Sequence, residues 1–285
     1  MAVALTEPSS AGAHAGLLFM DGGGYAPLSV SAAIAAATVA VDRRLLVTAA
    51  EGAEQMLTFD TPGGAVRACV RTSAARPAGG APCVSSVSVG LGSAFVHTPS
   101  AAVSRGSRRV PLDVVFAGGF FAIVDSESAG VPLDRSHVDG LRSAARELFE
   151  MLDARFTLLH PARADAEPVA GIVFTGPPSR DDAHLRGVAV SRHGVVDRSS
   201  VSGTAAVLAV LDAMGLAVEG QPFIHEGTAG LTVTGVVTGR TTIGERPAVD
   251  LEVTATAWTI GESTWILDDG DPLRFGDDPG REALF

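Results

Sequence analysis

Lysine is absent from this 285-residue chain, and all 21 basic side chains are arginine. Without a lysine amine there is no Schiff-base chemistry. That excludes covalently held pyridoxal phosphate, aldolases that form an imine with their substrate, and the phosphate-binding lysine of Walker-type loops. Cysteine is nearly as scarce: Cys69 and Cys83 are the only two, too few for a disulfide framework in a chain of this length. The opening stretch MAVALTEPSS has neither a basic segment nor a sustained apolar run, so it does not read as a signal peptide. Apolar runs near Ala32 to Val41 and Val114 to Val124 are too short or too interrupted to cross a bilayer. A cytoplasmic protein is expected. Positive charge is also in short supply: the net charge is −11, which argues against nucleic acid or an anionic membrane as the main partner. An anionic ligand must therefore be held by local backbone donors or an arginine. His14, His97, His137, His160, His184 and His193 are scattered without metal-ligand spacing, so no metal and no other cofactor is expected.

What the chain does contain, twice, is the tripeptide Ser-Val-Ser ahead of an Ala/Val-rich run. One copy is Ser29-Val30-Ser31 and the other Ser200-Val201-Ser202. Small polar residues before a helix-length apolar stretch are the composition of a helix N-terminus. Helices are predicted from about Ser29 to Val41 and from about Ser200 to Met214, the second closed by Gly215. Helix starts expose unpaired N–H groups and the positive end of the dipole, so two of them facing one cleft would suit a small carboxylate. Ser31, Ala32, Ser202, Gly203 and Thr204 are the candidates for such a cradle.

Between these helices the pattern is mostly strand. Strand-like segments fall near 16–20, 55–59, 65–71, 84–89, 109–117, 120–124, 172–175 and 188–190, with several antiparallel strands from 231 to 267. Asp21-Gly-Gly-Gly24 reads as a turn and 74–82 as an exposed loop. A third helix is expected over 134–153, from the periodicity of Val138, Leu141, Ala145, Leu148 and Leu152. Helices embedded among many strands predict an α+β fold of two barrel-like lobes, each wrapped around one helix. The division expected is 1–117 for the first lobe, 118–256 for the second, and 257–285 returning to the first.

Phe19-Met-Asp-Gly-Gly-Gly-Tyr25, followed by Leu28-Ser-Val-Ser-Ala-Ala-Ile-Ala35, resembles the first active-site region of the proline racemase family, usually Met-Cys-Gly-His-Gly-Thr-Ile after a Gly-Tyr pair. Asp197-Arg-Ser-Ser-Val-Ser-Gly-Thr204 resembles the second, usually Asp-Arg-Ser-Pro-Cys-Gly-Thr-Gly-Thr. Asp113 to Asp125, Phe174-Thr-Gly-Pro-Pro178, Phe223-Ile-His-Glu226, Ala257-Trp258 and Leu267 to Pro272 extend the similarity along the chain. The resemblance implies the diaminopimelate-epimerase-type fold, two pseudo-symmetric lobes whose central helices point their N-termini at the cleft. It also implies that the first strands of lobe one are missing or replaced, because the family carries several dozen residues ahead of the segment matching Glu7-Pro8. Racemases of the family use one cysteine per lobe as paired acid and base. Here Ser29 stands at the first cysteine position. Ser200 stands at the second if one residue is lost where the family has proline, and otherwise Val201 does.

A thiol is readily tuned to a thiolate, whereas a serine hydroxyl needs a neighbouring base. Two-base racemisation of an unactivated amino acid is therefore not expected, and Cys69 and Cys83 lie outside the motifs. Three readings stand side by side. One is an isomerase of a cyclic imino acid whose C–H is already acidified, such as a pyrroline carboxylate or a 4-alkyl-proline precursor in specialised metabolism. Asp197 or Glu226 would then move the proton while Ser29 and Ser200 hold or relay. Another is a hydroxyproline dehydratase, and a third is a non-catalytic imino-acid binder. Asp197 is otherwise a hook for the ring nitrogen or a turn residue. Tyr25 and Phe120 are candidate ring walls, and His225 with Glu226 candidate ligand contacts. The expected partner is a small cyclic imino acid or related carboxylate, with a homodimer left open.

Overall fold

The computed structural model describes residues 1–21, 24–46, 54–73, 83–264, 266 and 268–272. The loop expected at 74–82, Gly22 and Gly23 of the glycine turn, and Leu267 of the closing motif lie outside the described residues. In chain order the first strands are β1 (Ala2–Thr6), β2 (Ala15–Asp21), β3 (Gly24–Ala26), β4 (Glu54–Thr61), β5 (Gly64–Ser73), β6 (Cys83–Arg105), β7 (Arg108–Phe116) and β8 (Phe120–Asp125). They are followed by β9 (Val169–Gly176), β10 (Leu185–Ser191), β11 (Val196–Asp197), β12 (Pro222–Gly227), β13 (Thr232–Ile243) and β14 (Arg246–Ala255). The helices are α1 (Val30–Asp42), α2 (Ser126–Ala129), α3 (Val138–Arg155) and α4 (Val201–Ala213).

α4 is apolar on every side, the pattern of a helix with no solvent face. It buries Val201 and every residue from Gly203 to Val210. Gly215 ends it: at φ +73 it enters the left-handed region that glycine tolerates, and its N–H donates to the Asp212 carbonyl at 2.8 Å. α1 is almost as small and apolar, burying Val30, Ala33, Ile34, Ala37, Thr38 and Ala40. α3 is amphipathic instead, with Leu141, Ala144, Ala145, Leu148, Phe149 and Leu152 turned inward. It begins after a 3-10 turn capped by Asp134, whose carboxylate accepts the Ser136 N–H at 3.0 Å.

Among the described residues the strands join into one 14-stranded mixed sheet. β6, β14, β13, β12, β10, β9, β8 and β7 pair in succession, and β7 pairs back to β6, closing a ring. α4 packs against β6, β13 and β14 of that ring. From β6 the sheet also continues through β5, β4, β2 and β1, and α1 packs against β5 and β6. β6 therefore belongs to both groups of strands. β6 can do this because it is 23 residues long and changes register with β7 around Thr98 and Ala101. Its early half pairs with β5, its middle with β14 and its late half with β7. The strand expected at 84–89 instead continues through Gly90, Gly92 and Pro99 as one bent strand.

The expected boundary after 117 falls between β7 and β8, which are hydrogen-bonded neighbours in the ring. Among the described residues, the segment expected to be strands from 231 to 267 holds β13 and β14, and 256–264 are irregular. Ala257 packs on the apolar cluster shared by α1 and α4. Glu262 meets Arg43 at the end of α1 with a 3.0 Å ion pair. A second cluster joins α3 to β7, β8 and β9.

Leu208 of α4 is 2% exposed, and its Cδ2 lies 3.0 Å from where a Cβ on Gly235 of β13 would sit. Leu208→Ala is expected to cost about 2–5 kcal/mol, because strands on all sides prevent the cavity from collapsing. Urea unfolding should show a lowered midpoint with an unchanged slope.

Candidate active site

Both central helices begin at one cleft, about 820 Å³ in volume. Ser29, Ser31 and Ala32 line it at the start of α1, and Asp197, Arg198, Ser199 and Val201 at the start of α4. Val138 and Arg142 of α3, Leu231, Thr256 and Ala257 form the flanks.

The two serines occupy the same place in their helices. Each is the N-cap in extended conformation, and each carbonyl accepts the first helical N–H, Ala33 at 2.9 Å for Ser29 and Thr204 at 3.0 Å for Ser200. Their hydroxyls differ. The Ser200 Oγ accepts the Gly203 N–H at 3.1 Å, whereas Ser29 makes no side-chain cap. The Gly203 N–H, expected in a carboxylate cradle, is thus already used, and Gly203 and Thr204 are buried. Ser202 is half-exposed but does not line the cleft. At α1 the first-turn N–H groups are not taken by a cap, and Ser31 and Ala32 stand on the cleft wall.

Behind the start of α4, the Thr204 hydroxyl lies 2.8 Å from the Ser200 carbonyl oxygen and 2.8 Å from His225 Nδ1. A carbonyl can only accept, so the single hydroxyl proton goes to it and the imidazole must donate from Nδ1. Nε2 is then a bare lone pair. It has no partner among the described residues and faces Gly187, where a Cβ would come within 2.5 Å of it. Burial keeps this imidazole neutral and lowers its pKa to about 4. His225 therefore sits behind the helix start and not on the cleft wall.

Asp197 is fixed by pairing of β11 with β10, opposite Ala189. Burial pushes its carboxyl above the usual aspartate value. Hydrogen bonds from the Ser199 N–H at 3.1 Å and the Ser200 hydroxyl partly offset that. Second-lobe Ser200 thus has a carboxylate neighbour, and first-lobe Ser29 has none on the cleft wall. Gly227 of β12 makes this possible. A Cβ there would lie 1.8 Å from the Arg198 carbonyl oxygen, so only glycine lets the loop carrying Asp197, Arg198 and Ser199 press against the strand.

Other candidates lie elsewhere. Glu226 is 2% exposed and accepts the N–H groups of Ser179 at 2.7 Å and Arg180 at 3.3 Å, together with the Ser179 hydroxyl. Burial opposes its charge, but these bonds outweigh it and hold the carboxyl below the ordinary value. Glu226 anchors the loop after β9 and is not on the cleft wall. Tyr25 is 78% exposed on β3, away from the cleft. Phe120 is fully buried, its ring 5.2 Å from Phe116 and 5.3 Å from His97, because it points inward beside the α3 cluster. Cys69 is buried on β5, where burial and its bond to Glu54 raise its pKa to about 11, the opposite of a thiolate base.

Sequence reasoning missed Arg198, although it adjoins Asp197 in the quoted motif, and it missed Val138 and Arg142, for which α3 carries no local signal. Arg142 is tethered to the Gly194 carbonyl at 3.0 Å and to Asp139 at 3.1 Å. Among the described residues, no three of His, Cys, Asp and Glu stand together where they could hold a metal ion.

Comparison with known proteins gives the family and the fold. A family model described as proline racemase matches residues 1–277. The proline racemase of Acetoanaerobium sticklandii is 29% identical over 277 residues, 95% of this chain and 79% of that protein. The trans-3-hydroxy-L-proline dehydratase of Bacillus cereus is 28% identical over 273 residues, with the same shares of 95% and 79%. A hydroxyproline epimerase from Agrobacterium vitis, solved with bound trans-4-hydroxy-L-proline, superposes with a TM-score of 0.82 at 25% identity, covering 96% of this chain and 76% of that one. A probable proline racemase from Agrobacterium radiobacter, solved with bound carbonate, gives 0.83 at 24% identity and shares the fold over 96% of this chain and 78% of its own.

Gly227→Ala should displace the 197–199 loop and abolish ligand binding in the cleft, with a stability loss of about 1–3 kcal/mol. Calorimetric titration against thermal unfolding separates the two effects. His225 adds a pH signature. Its folded pKa of about 4 lies below the ordinary 6.5, so the unfolded chain takes up the proton first and stability falls as pH drops from about 6.5 to about 4. The loss approaches about 3 kcal/mol, and His225→Asn should flatten that part of the stability curve.

Proposed function

This chain belongs to the proline racemase family, and on that premise we propose that it is a cofactor-independent isomerase moving a proton or a double bond in a small cyclic imino acid. The observation that carries this reading is the shared cleft. Two serine-led helix starts open on it, and Asp197 is the carboxylate on its wall. The family's relatives act on proline or hydroxyproline, and the cleft suits the same class of ligand. The substrate carboxylate belongs at the start of α1, where Ser29, Ser31 and Ala32 offer backbone N–H groups and the dipole end, within a protein whose net charge of −11 would otherwise repel it. The opposite wall supplies Asp197. A carboxylate whose proton affinity is raised by burial is a better base than one in water, and its neighbours Ser199 and Ser200 keep it oriented.

A carboxylate remains a weak base for the α-hydrogen of a saturated amino acid. The reading therefore narrows to a ring already holding a C=N or C=C bond, such as a pyrroline carboxylate, in which conjugation lowers the demand on the base. Val3, Val138, Val195, Val196 and Leu231 give the cleft an apolar wall, which suits an alkyl-substituted ring of the kind found in 4-alkyl-proline precursors of specialised metabolism. Dehydration of a hydroxyproline is the second reading. It also needs only one base, and a dehydratase is among the relatives.

Purified protein offered 1-pyrroline-2-carboxylate, its alkylated analogues and trans-3-hydroxy-L-proline separates these readings. An isomerase shifts the ultraviolet band of a conjugated ring, a dehydratase makes a ketimine from the hydroxyproline, and a binder does neither. Asp197→Asn should lower turnover by a factor of roughly 10²–10⁴ and remove the acid limb of the rate profile, because activity needs the ionised carboxylate and falls as pH drops through its raised pKa. Ser29→Ala should mainly raise KM, by about tenfold. Wild-type turnover in Asp197→Asn would dismiss Asp197 as the base.

A further inference from the structure

We infer that hydrogen is moved on one face of the substrate only, the face turned toward α4, so that the enzyme rearranges its ligand without racemising it. The inference rests on the reading that the cleft holds a cyclic imino acid, and it follows from how proton-carrying groups are distributed around that cleft.

On the α1 side the wall is made of Ser29, Ser31, Ala32, Ile34 and Ala35, with Met1, Val3 and Ala255 to Ala257 beside them. None of these side chains ionises in the working range of an enzyme. Ser29 could carry a proton away from carbon only if a neighbouring base first took its own. Among the described residues of this wall no side chain is such a base. The α4 side is built differently. It carries Asp197, hydrogen-bonded by Ser199 and next to Ser200, and two guanidiniums, Arg142 and Arg198, that stay charged and cannot act as bases. Other titratable groups near the helix starts are shut off. Glu226 is saturated by Ser179 and Arg180, and the free Nε2 of His225 is walled in by Gly187.

Racemisation requires removal of a proton from one face of a carbon and delivery to the other. This cleft has a proton acceptor on one face and a neutral hydroxyl on the other. The step that fits is a proton shift returned from the same side. The C–H bond facing α4 breaks, its proton passes to the Asp197 carboxylate, and its electron pair enters the conjugated C=N or C=C system of the ring. The resulting carboxylic acid gives the proton back at the far end of that system while the double bond moves one place. No atom or electron is gained or lost, so no oxidant, reductant or cofactor is required. With the carboxylate fixed at α1, the ring cannot turn over between the two half-steps.

The test is exchange of 1-pyrroline-2-carboxylate in D2O, followed by proton NMR at the ring carbon beside the imine, which bears two hydrogens. Above the uncatalysed rate, the enzyme should replace one of the two, and Asp197→Asn should lose this exchange. L-proline should give no D-proline. Equal catalysed exchange of both hydrogens, or formation of D-proline, overturns the single-face inference and leaves the reading of the cleft intact. Binding of the planar analogue pyrrole-2-carboxylate without any catalysed exchange also overturns it. Failure of that analogue to bind at all overturns the reading of the cleft, and the inference with it.

Discussion

Enclosure of α4 within a closed ring of strands is the constraint from which the rest of the site follows. At its buried start a helix so enclosed cannot turn its first N–H groups to water, so they must be satisfied by what stands next to them. At the C-terminus a left-handed glycine folds the chain back. At the N-terminus the serine hydroxyl caps Gly203, and Thr204 ties the Ser200 carbonyl to a neutral imidazole. The second helix start is therefore a finished, internally bonded structure, whereas the first has no side-chain cap. On the proposed reading, the two helix starts that look alike in sequence divide the work between them, one binding an anion and the other positioning a carboxylate.

The duplicated Ser-Val-Ser was legible because helix starts are local. Small polar residues before an apolar run give the N-cap without knowledge of the rest of the molecule, and both helices begin within a residue of where composition places them. The difference between Ser29 and Ser200 was not legible. Whether a hydroxyl caps its helix depends on the backbone angle of that one residue and on what surrounds it, and Gly227, against which the 197–199 loop packs, is remote in sequence. His225 and Glu226 misled for a related reason. Polar residues in a family-like motif look like ligand contacts, but His225 bonds the Thr204 hydroxyl and Glu226 ties down the Ser179–Arg180 loop, both off the cleft wall. Phe120 illustrates the period-2 problem: a strand residue faces either the cleft or the core, and one place of register decides which. α3 was read correctly as a helix, yet nothing in its periodicity announces that Val138 and Arg142 border the cleft.

On the proposed reading, hydroxyls stand where a racemase of this fold carries its thiols, and that changes what the surroundings must do. A thiolate brings its own basicity, so a racemase of this fold needs little beyond two cysteines and a place for the carboxylate. With serines in their place the basicity has to come from elsewhere, and burial of a neighbouring aspartate is an economical source because the same loop already sits against the helix start. The cost is asymmetry. Only one of the two halves has such an aspartate in the corresponding place.

The pairings of β6 with β14 and of β7 with β8 carry a last consequence. Although the helix starts give the impression of a unit copied and joined, the copies cannot be parted. Cutting the chain near residue 117 would separate β6 from β14 and β7 from β8, leaving each fragment with long, bare, sticky edges. Across that cut the protein is held together as one piece by strand pairing.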